Sequence, residues 1–323
     1  MLKVLKAVRS LFTSKHFGEY CYLYQNNIYG FSKCFKIRIK TDIGFNCAVK
    51  MKDLITILDK IKTSYVAVQE NNKIIFKDEN GVEYILDDAR PINFDSITFP
   101  EDFVEPLPFT VGTVFTNILS AGDMFAKKSG DHLKTDSILV SGKTVSVSDR
   151  KTILQGVESE PLGRFSIHAD VIPLLQKLLK FDPIQRAIQD DEMQLDYDGD
   201  FSAWFPINQS DVIDNATSIM QNVFIQQGMK DFFELTNEMR VNLNRLYQNY
   251  KTETMILTES NIICGNVEIT HGVVHNPFSI KIKSDFAFLL IKFAKYVCVK
   301  DGYIGFVNSE NNLYGITGGI IDD

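Results

Sequence analysis

Three times along the chain, a stretch with alternating apolar and polar positions gives way to one with helical spacing. The first is Phe45-Asn46-Cys47-Ala48-Val49-Lys50-Met51-Lys52-Asp53-Leu54-Ile55-Thr56-Ile57-Leu58. The second is Phe165-Ser166-Ile167-His168-Ala169-Asp170-Val171-Ile172-Pro173-Leu174-Leu175, and the third runs from Phe278-Ser279-Ile280-Lys281-Ile282 into Asp285-Phe286-Ala287-Phe288-Leu289-Leu290. A period near two places side chains on opposite faces of a strand, and a period near 3.6 gathers them on one face of a helix, so each stretch predicts a strand running into a helix. Further strand-like runs follow each one: Tyr65–Val68 and Lys73–Phe76, then Met193–Tyr197 and Phe201–Phe205, then Tyr296–Val299 and Tyr303–Val307.

A second pattern precedes each switch. Val4, Leu5, Val8, Leu11 and Phe12 keep helical spacing and leave Lys3, Lys6 and Ser10 on another face. Val114, Phe115, Ile118 and Leu119 repeat this ahead of Ser137–Ser148, which reads as a hairpin closed at Ser141-Gly142. Met239, Leu243, Leu246, Tyr247 and Tyr250 form the third stripe, ahead of strands at Met255–Leu257 and Asn261–Ile263. The chain is therefore expected to be α+β, built from three copies of one helix–hairpin–strand–helix–hairpin block. The Pro- and acid-rich stretch Phe99–Pro108 breaks the pattern once, and Pro206–Lys230 breaks it again. The expected domains are 1–103, 104–208 and 209–323, the last opening with a long linker region at 209–231, where Ser218–Phe224 could form a helical turn or an extra strand.

Composition narrows the classes. The 323 residues suit two or three domains, and every apolar run meets a charge well before membrane-spanning length. No membrane partner is expected. The charged, helically spaced start reads as part of the mature protein and not as a signal peptide. Five cysteines (Cys21, Cys34, Cys47, Cys264, Cys298) with no Cys-x-x-Cys pair point to buried free thiols in a reducing cytoplasm. A net charge of −7 argues against a non-specific coat on nucleic acid and leaves room for a local basic surface.

Chemical motifs are few. Ser141-Gly142-Lys143-Thr144 has Ser137 where a phosphate-binding loop needs glycine, and it lies in a hairpin. Asp196-Tyr197-Asp198-Gly199-Asp200 places its glycine too early for a calcium loop and has Ile207 where the bidentate Glu belongs, so it reads as a turn. His271 and His275 with Cys264 fall on strand and loop and read as surface histidines. His16, His132 and His168 lack a neighbouring nucleophile, and Asp190-Asp191-Glu192 reads as a solvated turn. No catalytic residue, metal site or cofactor is expected, and the chain is not expected to be an enzyme.

Charge on the repeated helices does recur. Their non-apolar faces carry Lys3, Lys6 and Arg9, then Lys50, Lys52, Lys60 and Lys62. The second copy has Lys127, Lys128, Lys177, Lys180 and Arg186, and the third Arg240, Arg245, Lys251, Lys292 and Lys295. Any one of these sets could be an ordinary solvated face. Repetition in all three copies favours a shared role, and acids gather instead in linkers and turns.

Tandem blocks with two amphipathic helices each, basic on those helices in an acidic chain, resemble the DNA sliding clamps. Val147-Ser148-Asp149-Arg150-Lys151-Thr152-Ile153 looks like the Thr-Asp-Gly-His-Arg-Leu strand end of the bacterial clamp's second domain. The resemblance covers nearly the whole chain. It implies three clamp domains with outer antiparallel sheets, and helices lining a channel around duplex DNA held without regard to sequence. It further implies a homodimer ring, loaded by an ATP-dependent clamp loader, that tethers a DNA polymerase in the cytoplasm as its processivity factor. It places a pocket for partner peptides at Ser148, Asp149, Ile153, Tyr314, Ile316 and Thr317. The Gly-His-Arg core and the Met-Pro-Met type of ending are missing, and the short domains and divergence suggest a bacteriophage clamp. The competing expectations are a monomeric polymerase accessory protein that binds DNA on one face, and a β-rich viral structural protein with no DNA role.

Overall fold

The structure, a computed structural model, describes residues 1–12, 19–32, 35–93, 95, 97–125, 137–148, 152–198, 201–209, 232–250, 254–271 and 277–319. The first repeat supplies α1 (Leu2–Phe12), β1 (Tyr20–Tyr24), β2 (Asn27–Ser32), β3 (Phe35–Lys40), β4 (Cys47–Lys50), α2 (Met51–Lys60), β5 (Tyr65–Glu70), β6 (Lys73–Asp78) and β7 (Glu83–Leu86). The second supplies β8 (Leu107–Pro108), α3 (Thr113–Phe125), β9 (Ser137–Gly142), β10 (Thr144–Ser148), β11 (Thr152–Val157), β12 (Gly163–His168), α4 (Ile172–Leu178), β13 (Gln185–Gln189), β14 (Glu192–Tyr197) and β15 (Phe201–Pro206). The third supplies β16 (Phe233–Glu234), α5 (Asn237–Asn249), β17 (Thr254–Thr258), β18 (Asn261–Cys264), β19 (Val267–Thr270), β20 (Ser279–Lys283), α6 (Ser284–Phe293), β21 (Tyr296–Lys300), β22 (Tyr303–Val307) and β23 (Leu313–Gly318).

All three strand-to-helix switches are present: β4 leads into α2, β12 into α4 and β20 into α6. The hairpins close on residues that tolerate a left-handed backbone. Gln25 and Asn26 turn β1 into β2, and Asp190 and Asp191 turn β13 into β14, all with positive φ. The β9–β10 hairpin closes one residue later than expected, at Gly142-Lys143, because Ser141 pairs with Thr144 and Gly142 takes the positive φ of 61°. Strand β19 is an addition to the sequence reading. It is only four residues long, although Val267-Glu268-Ile269-Thr270 alternates apolar and polar as a strand does.

The chain forms two compact units, Met1–Val111 with Asp170–Asn208, and Gly112–Ala169 with Gln209–Asp323. In the first unit an eight-stranded antiparallel sheet runs β4-β1-β2-β3-β15-β14-β13-β8, beside a three-stranded sheet β5-β6-β7. Phe35, Ile37 and Ile39 of β3 point into the core while Lys36, Arg38 and Lys40 alternate outward. Helix α1 packs on α2 and α4, burying Val4, Leu5 and Val8 along the stripe that the sequence laid out.

In the second unit an eight-stranded sheet runs β12-β9-β10-β11-β23-β22-β21-β16, beside a four-stranded sheet β19-β18-β17-β20. Helix α3 lies on β9, β10 and β11, and α5 packs on α6. The start of α3 is capped from outside the helix. The Glu158 carboxylate accepts the Phe115 N–H at 2.5 Å, a role that a helix N-terminus usually fills with its own Ser, Thr or Asp. Gly112 leaves room for it, since a Cβ there would overlap the carboxylate. Burial raises the Glu158 pKa above the usual carboxylate value despite that N–H.

Each eight-stranded sheet joins half of one repeat to half of the next. In one, β3 pairs with β15; in the other, β11 pairs with β23. In each case the third strand of a first half meets the third strand of a second half. By the same count β19 and β7 are the third strands of the four- and three-stranded sheets, and both are edges.

Candidate nucleic-acid and partner interfaces

Among the expected channel residues, Lys3, Lys6 and Arg9 are exposed on α1, which carries no acid. Lys6 is engaged by Asp59 at 2.5 Å, and its hydrogen bond holds that carboxyl below the usual range. Lys52 and Lys60 are exposed on α2, where Asp53 and Asp59 offset them, while Lys50 ends β4 as the residue before the helix. Lys62 lies just beyond α2 and donates to the Asp59 carbonyl. Lys177 is half-buried on α4, and Lys180 is exposed on the single 3-10 turn Leu179–Phe181 that follows.

In the second unit Arg245 is exposed on α5. Lys292 of α6 donates to the Ser120 hydroxyl of α3 at 2.6 Å and sits 5.0 Å from the Phe293 ring centre, and burial lowers its pKa. Lys127, Lys128 and Lys251 lie outside the described residues, as do Asp149, Cys34, His16, His132, His275 and 210–231.

Besides Lys50 and Lys62, which lie outside α2, three placements correct the sequence reading. Arg186 is on strand β13, not on a helix. It is 8% exposed and packs 5.6 Å from the Phe109 ring centre, because its segment follows the period of two once the helix has ended. Lys295 lies past the end of α6 and pairs with Glu234. His271 is 7% exposed and not a surface residue, and neither ring nitrogen has a hydrogen-bond partner among the described residues.

Arg240 is on α5 as expected but faces the neighbouring helix. Its guanidinium donates to the Ile291 carbonyl at 2.8 Å and the Ala294 carbonyl at 2.6 Å, capping the C-terminus of α6, where unpaired carbonyls concentrate negative potential. The exposed cations outside these contacts are Lys3 and Arg9 on α1, Lys52 and Lys60 on α2, Lys180 after α4 and Arg245 on α5.

The expected pocket residues other than Asp149 lie on the adjacent strands β10, β11 and β23. Ile153 of β11 pairs in register with Ile316 of β23, and Thr152 with Thr317, whose hydroxyls are 2.9 Å apart. On the face away from the helices, Ile316 and Cys298 form a buried apolar cluster with Ile153, Tyr314 and Phe232 packed partly exposed against it. Ser148 pairs with Ile153 from β10. Cys298 and Phe232 were missed: each comes from a segment distant in sequence, and only their apolar character could have marked them. Gly315 is required within β23, since a Cβ there would overlap the Phe306 ring.

The matching place in the first unit is closed. Counting from the tight turns, Trp204 of β15 stands where Ile316 does, and it is fully buried. Its indole N–H donates to Gln194 Oε1 at 3.2 Å, and the same oxygen accepts the Phe103 N–H at 2.7 Å. Arg38 lies 5.4 Å from the Trp204 ring centre and grips Asp102 with two hydrogen bonds of 2.7 and 3.0 Å, so the linker folds over the tryptophan. One seam is thus sealed by the chain itself, and the other presents partly exposed apolar side chains.

No protein-family model matches the sequence, and no curated protein matches it. Solved structures do match over its full length, and the helix-backed antiparallel sheets joined from half to half define the DNA-clamp fold. The DNA polymerase sliding clamp of Caulobacter crescentus aligns with a TM-score of 0.74 at 9% identity, covering 99% of this chain and 97% of that one. The DNA polymerase β subunit of Streptococcus pyogenes aligns at 0.69 with 10% identity, covering 99% and 98%. The Helicobacter pylori β clamp solved with a DNA ligase peptide aligns at 0.69 with 11% identity, covering 99% and 97%. Among the described residues, no helix is long and apolar enough to cross a membrane.

Proposed function

We propose that the chain is a DNA sliding clamp, a non-enzymatic processivity factor that closes around duplex DNA as a two-chain ring and tethers a DNA polymerase. The observation that carries this reading is the pair of unfinished sheets. Four strands ending at β19 and three ending at β7 are the two halves of a third sheet like those joined at β11–β23 and β3–β15. Pairing β19 of one copy with β7 of a second, and the reverse, completes both and removes two exposed edges. The repeats then act as three clamp domains, 1–103, 104–208 and 209–323.

Helices facing the hole would present Lys3, Arg9, Lys52, Lys60, Lys180 and Arg245 to phosphates. Such contacts hold the duplex without reading bases, so the ring can slide. The Ile153–Ile316 seam would take the apolar residues of a polymerase or clamp-loader peptide, as the Helicobacter pylori clamp takes a DNA ligase peptide. The ATP-dependent loader is an expected partner because a closed ring must be opened to admit DNA. Short domains and sequence divergence support a bacteriophage origin.

Sedimentation tests the ring directly. A species of twice 36.7 kDa at micromolar concentration is expected, with a hole of duplex width in electron micrographs. Glu268→Pro, which takes an N–H from β19, should shift the mass to that of one chain while circular dichroism is preserved. A wild-type chain that stays monomeric, or binds nicked circular DNA and is not released when the circle is linearised, overturns the ring.

A further inference from the structure

The two seams inside the chain keep one register, and it carries over to the unfinished edges. In the first halves of the repeats, Ile28, Val145 and Ile262 are equivalent, since they face Leu23, Val140 and Leu257 across hairpins of the same length. Two residues further on, Gly30, Val147 and Cys264 pair with Ile37 of β3, Leu154 of β11 and Val267 of β19. In the second halves, Ala67, Arg186 and Val297 face Phe76, Leu195 and Phe306. Those three in turn face Tyr84 of β7, Ala203 of β15 and Gly315 of β23.

Ile37 pairs with Ala203 and Leu154 with Gly315, so both seams set the same two positions opposite each other. Applied to the edges, this register sets Val267 of one copy opposite Tyr84 of a second. Antiparallel counting then sets Glu268 opposite Glu83 and Ile269 opposite Val82.

Burial agrees with the transfer. On the core side of the two seams, Ile37, Ile39, Leu154, Phe201, Ala203 and Leu313 are at most 6% exposed. At the matching positions Val267, Ile269 and Tyr84 are partly exposed in the single chain, and Val82 is 47% exposed. These are the apolar side chains that a second copy would cover.

The pair between them is different. At its position the internal seams set Arg38 opposite Ser202, joined by a 3.1 Å hydrogen bond, and Gln155 opposite Tyr314. Neither seam opposes like charges, whereas Glu83 and Glu268 are both exposed carboxylates. Glu83 has Lys77 of β6 beside it at 3.6 Å, and Glu268 accepts from the neutral Asn261 amide at 2.6 Å. In the joined sheet Lys77 stands one strand farther from Glu268 than Glu83 does, so the directly opposed carboxylate dominates.

Resting on the two-chain ring, we propose that each closure joins a second copy of this chain in this register, with Val267 against Tyr84 and Ile269 against Val82 inside and a repelling Glu83–Glu268 pair outside. Apolar burial holds the ring shut. Like charges directly opposite on neighbouring strands destabilise the pairing, so the ring is held below its full strength and opens more readily for loading.

Charge reversal reads the pair. In sedimentation at low salt, Glu83→Lys and Glu268→Lys should each lower the dimer dissociation constant about fivefold, because each turns two repelling contacts per ring into attracting ones. Glu83→Lys/Glu268→Lys opposes lysine to lysine and should return close to the wild-type constant. A general relief of the net charge of −7 predicts the reverse, with the double variant the tightest of the four. Under a mild oxidant, Glu83→Cys/Glu268→Cys should give a two-chain species on a non-reducing gel, and Glu83→Cys/Thr270→Cys, two positions out of register, should not. A wild-type dimer unmoved by the single reversals, a double variant tighter than either single one, or equal cross-linking of both cysteine pairs overturns the register and leaves the ring standing. A wild-type chain that is monomeric at every concentration overturns both.

Discussion

Ile153 on β11 stands directly opposite Ile316 on β23, and the two are unequally buried: Ile316 is 3% exposed beneath the cluster while Ile153 remains half-covered at its rim. The half-covered partner can be changed without opening the core. Ile153→Asp is expected to weaken binding of an apolar clamp-binding peptide at least tenfold, with little change in the melting temperature. Ile316→Asp should cost stability as well, because it buries a carboxylate. Unchanged peptide affinity in Ile153→Asp, read by anisotropy, moves the docking site away from this seam.

Two cations on α1 have no ion-pair partner among the described residues, Lys3 and Arg9, whereas Lys6 is held by Asp59. Lys3→Glu/Arg9→Glu should shorten retention on closed circular duplex DNA and lower the log–log salt slope by about 2, at roughly 0.9 for each phosphate no longer neutralised. Folding and oligomeric mass should be unaffected. A slope equal to that of the wild type would make α1 an ordinary solvated face.

Arg240 caps α6 from α5 through carbonyls that have no other partner within their helix. Arg240→Ala is expected to lower unfolding stability by about 2 kcal/mol, the range of a charged hydrogen bond whose acceptors are left behind. Arg240→Lys should recover only part of this, since an ammonium cannot span both carbonyls in one plane. Urea melts of the three proteins decide it. A loss in DNA retention with no loss in stability would instead return Arg240 to the DNA-facing set.

Glu158 makes stability depend on pH in a predictable sense. Its folded pKa is raised above the unfolded value, so the folded state binds the proton more tightly and stability falls as pH rises through that interval. Glu158→Gln keeps an acceptor for the Phe115 N–H and should flatten the decline in stability above about pH 4.5, where an unfolded glutamate ionises. Gly112→Ala should destabilise both forms by pushing the side chain off the helix end. A wild-type profile that rises through this interval would mean that the N–H outweighs the burial.

Local chemistry made much of the molecule readable in advance. The change from a period of two to one of 3.6 located β4–α2, β12–α4 and β20–α6, because strand and helix geometry alone dictate which positions must be apolar. The positive-φ tolerance of Asn, Asp and Gly marked several of the turns, while Ile153 and Ile316 are reached only through the resemblance of Val147–Ile153 to a bacterial clamp strand end. Its shortness hid β19, and helical charge counting misplaced Arg186, which belongs to the next strand, and Lys295, since a cation at the end of a helix looks the same in sequence as one just beyond it.

What the tertiary structure alone decided is which edges meet. The pairings of β3 with β15 and β11 with β23 join segments far apart in the chain, and their register depends on the shapes of two completed half-sheets, not on any local period. That pairing buried Trp204 under the Phe103 linker in one seam and left Ile153 and Tyr314 accessible in the other. Among the described residues, β7 and β19 remain at the edges of their sheets, and the packing of α5 on α6 aims Arg240 at the carbonyls that end α6. Sequence specified the repeated parts because each obeys short-range geometry. Folding distinguished the copies from one another, because burial is set by neighbours that no local pattern names.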